Sequence, residues 1–208
     1  AEVILVAKGS PIRSVADLKG RKVALQRGSS SHNLLLLALQ RAQLSFADIQ
    51  PVYLAPADAR AAFTSGSVDA WVIWDPYLAA AQRQLDARVL IDGSGLVDNH
   101  QFYLASRRYA QRNPQVLAAL VQELRATDAW AQAHPEQVAA QVAPLFGLPP
   151  AIAGTVMARE GYGAQFIDAA AIGKQQRIAD TFQQLRLIPK PLALKSAIWT
   201  PPPGLVQR

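Results

Sequence analysis

The run Gly28-Ser29-Ser30-Ser31-His32-Asn33 joins a strand-like segment, Arg21 to Gln26, to a leucine-rich helical one, His32 to Gln43. A glycine turn feeding a helix start leaves backbone N–H groups free at the positive end of the helix dipole. Hydroxyls add donors, so the chemistry on offer is capture of an anion. The same residues suit a plainer role, in which one serine caps the helix and the others fill a loop. The Gly-Lys-Ser/Thr ending of a phosphate-binding P-loop is absent, as are the second and third glycines of the dinucleotide fingerprint. A second run, Trp71-Val72-Ile73-Trp74-Asp75-Pro76-Tyr77, ends a strand and opens a helix. Ligands of α/β sheets gather at the carboxyl ends of strands, which would let Trp74 and Tyr77 wall a pocket there. Asp75, just before Pro76, is well suited to capping the following helix, and Trp71 suits the core.

Nothing in the chain nominates a catalytic residue. There is no cysteine, and His32, His100 and His134 share no metal-ligand spacing, so neither a metal nor a cofactor is expected. The nucleophile elbow Gly-x-Ser-x-Gly is missing, and Asp58, Asp69 and Asp75 are too scattered to form an acid–base pair.

The elements that must hold these residues alternate. Ser14 to Asp17 reads as a short capped helix closed by Gly20, and strands follow at Arg21–Gln26, Ile49–Leu54, Asp69–Trp74 and Arg88–Ile91. Helices are expected between them at His32–Gln43, Pro56–Thr64 and Pro76–Gln84. This alternation argues for an α/β unit with a largely parallel sheet. Beyond Asp92-Gly93-Ser94-Gly95 the character changes. One strand, Gln101–Ala105, precedes helices that start near Asn113-Pro114, His134-Pro135, Pro149-Pro150 and Asp168, and the proline-rich tail from Ile188 is expected to be extended. Residues 13–98 therefore read as one inserted lobe, and residues 1–12 with 99–208 as an outer lobe short of strands. Two lobes joined by crossing strands are the topology of hinged binding proteins.

With 208 residues, 50% hydrophobic and 17% charged, the chain can bury a real core without disulfides. No apolar stretch approaches the ~20 residues of a membrane span. The net charge of +6 invites a nucleic-acid reading, yet residues 13–100 hold nine Lys/Arg against eight Asp/Glu, and no basic run carries interleaved aromatics. An ordinary solvated basic surface is the better account. The chain opens at Ala1, already inside the strand-like Val3-Ile4-Leu5-Val6, with no initiator methionine and no leader, as a processed or truncated piece would.

Five runs carry a resemblance: Ser14 to Ala24, Gly28 to Leu35, Pro56 to Phe63, Gly66 to Tyr77, and Gln176 to Phe182. Together they strongly resemble the aliphatic sulfonate-binding proteins, the periplasmic components of ABC importers, which are related to taurine- and nitrate-binding proteins. The resemblance implies an α/β fold of the type II periplasmic binding protein kind, lacking the N-terminal part of lobe 1, on the order of 100 residues. It implies a monomer whose lobes close on an alkanesulfonate or taurine-like anion and dock on importer membrane subunits, without nucleic acid and without a membrane span. Its site would comprise Gly28, Ser29, Ser30, Ser31 and His32 at the helix start, Trp74, Asp75 and Tyr77 facing the cleft, and Asn99 and Gln101 at the hinge. Two other readings compete: a thiamine-pyrimidine synthase-like enzyme on the same fold, which needs a Cys or His cluster, and the effector domain of a transcription regulator, which needs a helix-turn-helix module.

Overall fold

The computed structural model describes residues 1–98 and 100–205. The chain divides into two compact units, Ala1–Asn99 with Val142–Arg159, and His100–Gln141 with Glu160–Arg208.

The first unit is built on five strands: β1 (Glu2–Ala7), β2 (Lys22–Leu25), β3 (Gln50–Tyr53), β4 (Ala70–Trp74) and β5 (Ala87–Asp92), in the order β3-β2-β4-β1-β5. β2 runs parallel to β3 and β4, whereas β1 pairs antiparallel with both β4 and β5. The sheet is thus mixed, and the expectation of a largely parallel one is corrected. Residues 1–12 are likewise placed differently from the sequence reading, since β1 is an inner strand of this unit and not a piece of an outer lobe. Its uninterrupted Val3–Val6 run suits a strand covered on both faces. Helix α1 (Ser30–Arg41) covers one face, where Leu34, Leu35 and Leu39 pack on Ile4, Val23 and Val72. Helices α2 (Pro56–Thr64) and α3 (Tyr77–Gln84) cover the other, where Phe63 and Leu78 pack on Leu5, Trp71 and Ile73. Each such fully buried aliphatic side chain contributes roughly 1.5–3 kcal/mol.

The later helices are α4 (Arg107–Arg112), α5 (Pro114–Ala133), α6 (Pro135–Phe146), α7 (Pro150–Met157) and α8 (Ala169–Gln184). Within the first unit, α7 lays Ile152 and Val156 against Ala79 of α3. In the second, Asp128 of α5 accepts from the Gly163 and Ala164 amides at 2.9 and 2.6 Å, and Arg125 Nε donates to the Ala164 carbonyl at 3.0 Å. The Asp168 side chain caps α8 by accepting from the Ala171 amide at 2.7 Å.

Two expectations about the second unit are corrected. Gln101–Ala105 forms no strand: these residues are exposed and, among the described residues, pair with no other strand, so alternation alone cannot supply the ladder a strand requires. The tail from Ile188 is not simply extended. It makes a short 3-10 helix over Leu194–Ala197, and Gln176 of α8 anchors it through the Leu192 carbonyl and the Leu194 amide.

Candidate anion site at the start of the first long helix

The chain leaves β2 toward β3 through α1 on one face, and leaves β4 toward β5 through α3 on the other. Neighbouring strands whose connections depart in opposite directions open a crevice at their carboxyl ends. β2 and β4 are parallel neighbours, so the β2–α1 and β4–α3 turns, with Gly28–His32 and Trp74–Tyr77, lie at the same end of the sheet. Their juxtaposition follows from the strand order, not from their spacing in sequence.

The β2–α1 turn is closed by its own hydrogen bonds. Gly28 takes φ +74°, a left-handed conformation open to glycine, with nothing in the space a side chain would fill. Ser29 is the N-cap: its Oγ accepts from the His32 amide at 3.3 Å and donates to the Gln26 carbonyl at 2.8 Å. The Gly28 amide donates to His32 Nδ1 at 3.1 Å. An acceptor at Nδ1 means a neutral imidazole carrying its proton on Nε2. In agreement, burial pushes the His32 pKa down from 6.5 to about 4, with the nearby Arg27 guanidinium adding to the shift. The ring lies against Phe46 at 5.1 Å and Tyr53 at 6.0 Å, and Arg27 stacks over Tyr53.

Once these bonds are assigned, a specific set of donors is left over. Among the described residues, no hydrogen bond engages the Ser30 or Ser31 amides, the first two of α1. Ser31 Oγ is fully buried and has no protein partner. Such an orphan hydroxyl costs ~1–3 kcal/mol unless something satisfies it. The serines are therefore not equivalent. Ser29 is occupied in capping, Ser30 is exposed, and Ser31 sits behind the turn where solvent does not reach.

On the other side of the crevice, half-buried Trp74 and exposed Tyr77 stand edge to face, with centroids 6.1 Å apart. They offer an apolar wall. Asp75 does not add a free charge to it. Its carboxylate, 1% exposed, accepts from the Ala79 amide at 3.0 Å and from Arg159 Nη1 at 3.2 and 3.3 Å, while Arg159 Nη2 donates to Gln82 Oε1 at 2.6 Å. It holds the start of α3, in keeping with its capping role. Of the two hinge candidates, Gln101 is exposed in the second unit and outside any helix or strand, and Asn99 lies outside the described residues.

Comparison with known proteins places this architecture. The family described as NMT1/THI5 like matches residues 1–138. The chain belongs to that family. Among curated relatives, this NMT1/THI5-like chain is 50% identical over 202 residues to an Escherichia coli K12 protein named for binding aliphatic sulfonates, a match spanning 97% of the chain and 63% of the relative. Among solved structures, it resembles the periplasmic aliphatic sulphonate binding protein SsuA from Escherichia coli, with TM-score 0.93 and 48% identity over 97% of this chain and 66% of the other. It also resembles the alkanesulfonate-binding protein SsuA from Xanthomonas axonopodis pv. citri bound to MOPS, with TM-score 0.86 and 42% identity over 96% of this chain and 69% of the other. The chain thus spans somewhat under two thirds of the Escherichia coli protein's length, and its fold is that of periplasmic binding proteins.

Arg159 is the residue of this NMT1/THI5-like chain that sequence reasoning missed. It lies 84 positions from Asp75, in a stretch with no motif, and only the packing of α7 on α3 brings the two together. The doubled role of His32 was also invisible, although a histidine at the third helical position after a Gly-Ser turn is within reach of the turn's amides.

Proposed function

We propose that this chain is the larger part of a periplasmic solute-binding protein that captures an aliphatic sulfonate, or a related small oxyanion, and hands it unchanged to an ABC importer. The observation that carries this reading is the set of donors left over at the start of α1: the Ser30 and Ser31 amides and the buried Ser31 hydroxyl. A sulfonate is permanently ionised and weakly basic, so it asks for converging neutral donors and a helix terminus, with no proton to be moved. Neutral His32 and Asp75, already engaged by Arg159, keep the site free of a competing carboxylate and of an acid–base catalyst. Trp74 and Tyr77 supply an apolar surface for the alkyl or aryl tail, the usual partner of a few polar anchors in small-ligand sites. Similarity to proteins named for sulfonate binding supports the ligand class.

Calorimetric titration of the full-length protein with ethanesulfonate, taurine, nitrate and sulfate tests this reading. Saturable binding of a sulfonate is expected, with recovery of the ligand unaltered. Replacing Ser30 and Ser31 together with alanine should weaken that binding by ~1–3 kcal/mol. Absence of binding to every sulfonate would end the proposal, and unchanged affinity in the double variant would return both serines to a purely local role.

A further inference from the structure

The geometry points to His32 as a positioning residue: it fixes the anion-binding turn from beneath by accepting the Gly28 N–H, and does not touch the ligand. This inference rests on the sulfonate reading above and deepens it.

Gly28 sits at the point where the chain turns out of β2, and its left-handed φ of +74° is a conformation that glycine enters and leaves readily. A residue so free of steric restraint needs an external tie. Two kinds are present. Ser29 is bonded locally, to Gln26 before it and His32 after it. The second tie, from the Gly28 amide to His32 Nδ1, spans the turn and ends on a ring that the body of the unit holds between Phe46 and Tyr53. His32 is 1% exposed, packs against Phe46 and Tyr53, and has its Nδ1 already engaged by the Gly28 amide. What it controls is the direction of the next two amides, Ser30 and Ser31, which are the donors left for the anion.

The tie works only for the neutral ring. Protonation places a hydrogen on Nδ1, which then faces the Gly28 N–H donor to donor and breaks the bond. The groups facing the ring are the apolar Phe46, the Tyr53 phenol and the nearby Arg27 guanidinium, so acid sensitivity of the turn is traced to His32 itself. A sulfonate head keeps its charge throughout the range. If His32 contacted the anion directly, acidification would tighten binding through a new positive charge. A positioning role predicts the opposite sign.

The test compares His32→Asn, whose side-chain oxygen lies near the Nδ1 position and can accept, with His32→Leu, which keeps the packing and cannot. In the full-length protein, Gly28 amide exchange is followed by NMR and ethanesulfonate affinity by calorimetry from pH 7 to pH 4. Slow Gly28 exchange is expected in the parent and in His32→Asn, and fast exchange with at least tenfold weaker affinity in His32→Leu. Parent affinity should fall toward pH 4, and that of His32→Asn should stay level. Tighter binding in acid, or unchanged exchange and affinity in His32→Leu, would overturn the positioning role. Should His32→Leu fail to fold, the parent and His32→Asn pH series decide alone. Should no sulfonate bind the parent protein, the ligand reading falls, while Gly28 exchange in the two variants still decides whether His32 holds the turn.

Discussion

Acid couples to the stability of this protein through His32. Its folded pKa is depressed, from 6.5 to about 4, so the unfolded chain binds the proton more readily between those values and stability rises with pH across the window. The contribution of the neutral ring is complete above pH 6.5 and is lost as pH falls toward 4, on the order of 2–3 kcal/mol. Urea denaturation at pH 7, 5.5 and 4.5 should show that loss in the parent protein and a smaller one in His32→Asn. Ser31→Ala gives a second sharp outcome, because removing an unpartnered buried hydroxyl relieves a desolvation cost. The ligand-free protein should be as stable as the parent or up to ~1 kcal/mol more so, while its sulfonate affinity drops. Opposite signs in one substitution separate a binding group from a structural one. At this scale the sequence shows which residue types could bind an anion, since a serine-rich helix start is recognisable by composition. It does not show how the work is divided among Ser29, Ser30 and Ser31, because that depends on which hydroxyl finds a carbonyl within reach and which is sealed behind the turn.

Among elements, α3 and α7 are joined by a nearly dry charge pair. Asp75 is 1% exposed on its side chain and Arg159 is 29% exposed. Arg159→Met would strip the buried carboxylate of its guanidinium, and should cost ~2–4 kcal/mol in thermal or urea unfolding. Asp75→Asn, which retains an acceptor for Ala79 and creates no orphan charge, should cost less. The element boundaries were readable: α2 is expected and found at Pro56–Thr64, and α1 shifts by only two residues at each end, from His32–Gln43 to Ser30–Arg41. Glycine turns, proline starts and leucine spacing encode these locally. Strand direction is not encoded that way. The apolar run of β1 announces burial on both faces and was therefore a usable hint of an inner strand. Its antiparallel insertion between β4 and β5, however, depends on partners 64 to 89 positions away.

At the level of the whole molecule, the net charge of +6 is spread singly or in pairs and does not concentrate in a run. Neutral donors in a crevice respond little to ionic screening, so sulfonate affinity should change less than about tenfold between 50 and 500 mM salt. A steep decline would point to surface basic residues as the true attractors. Which segments share a unit is decided by which strands share a sheet, and β1 joins a sheet made from residues that follow it. That placement carries a consequence for synthesis. During synthesis Glu2–Ala7 leaves the ribosome well before the two strands that flank it, which are completed only at Trp74 and Asp92. Until then a six-residue, valine- and isoleucine-rich ribbon travels with both its edges unmated. It is the natural target for a holdase until β4 and β5 are complete.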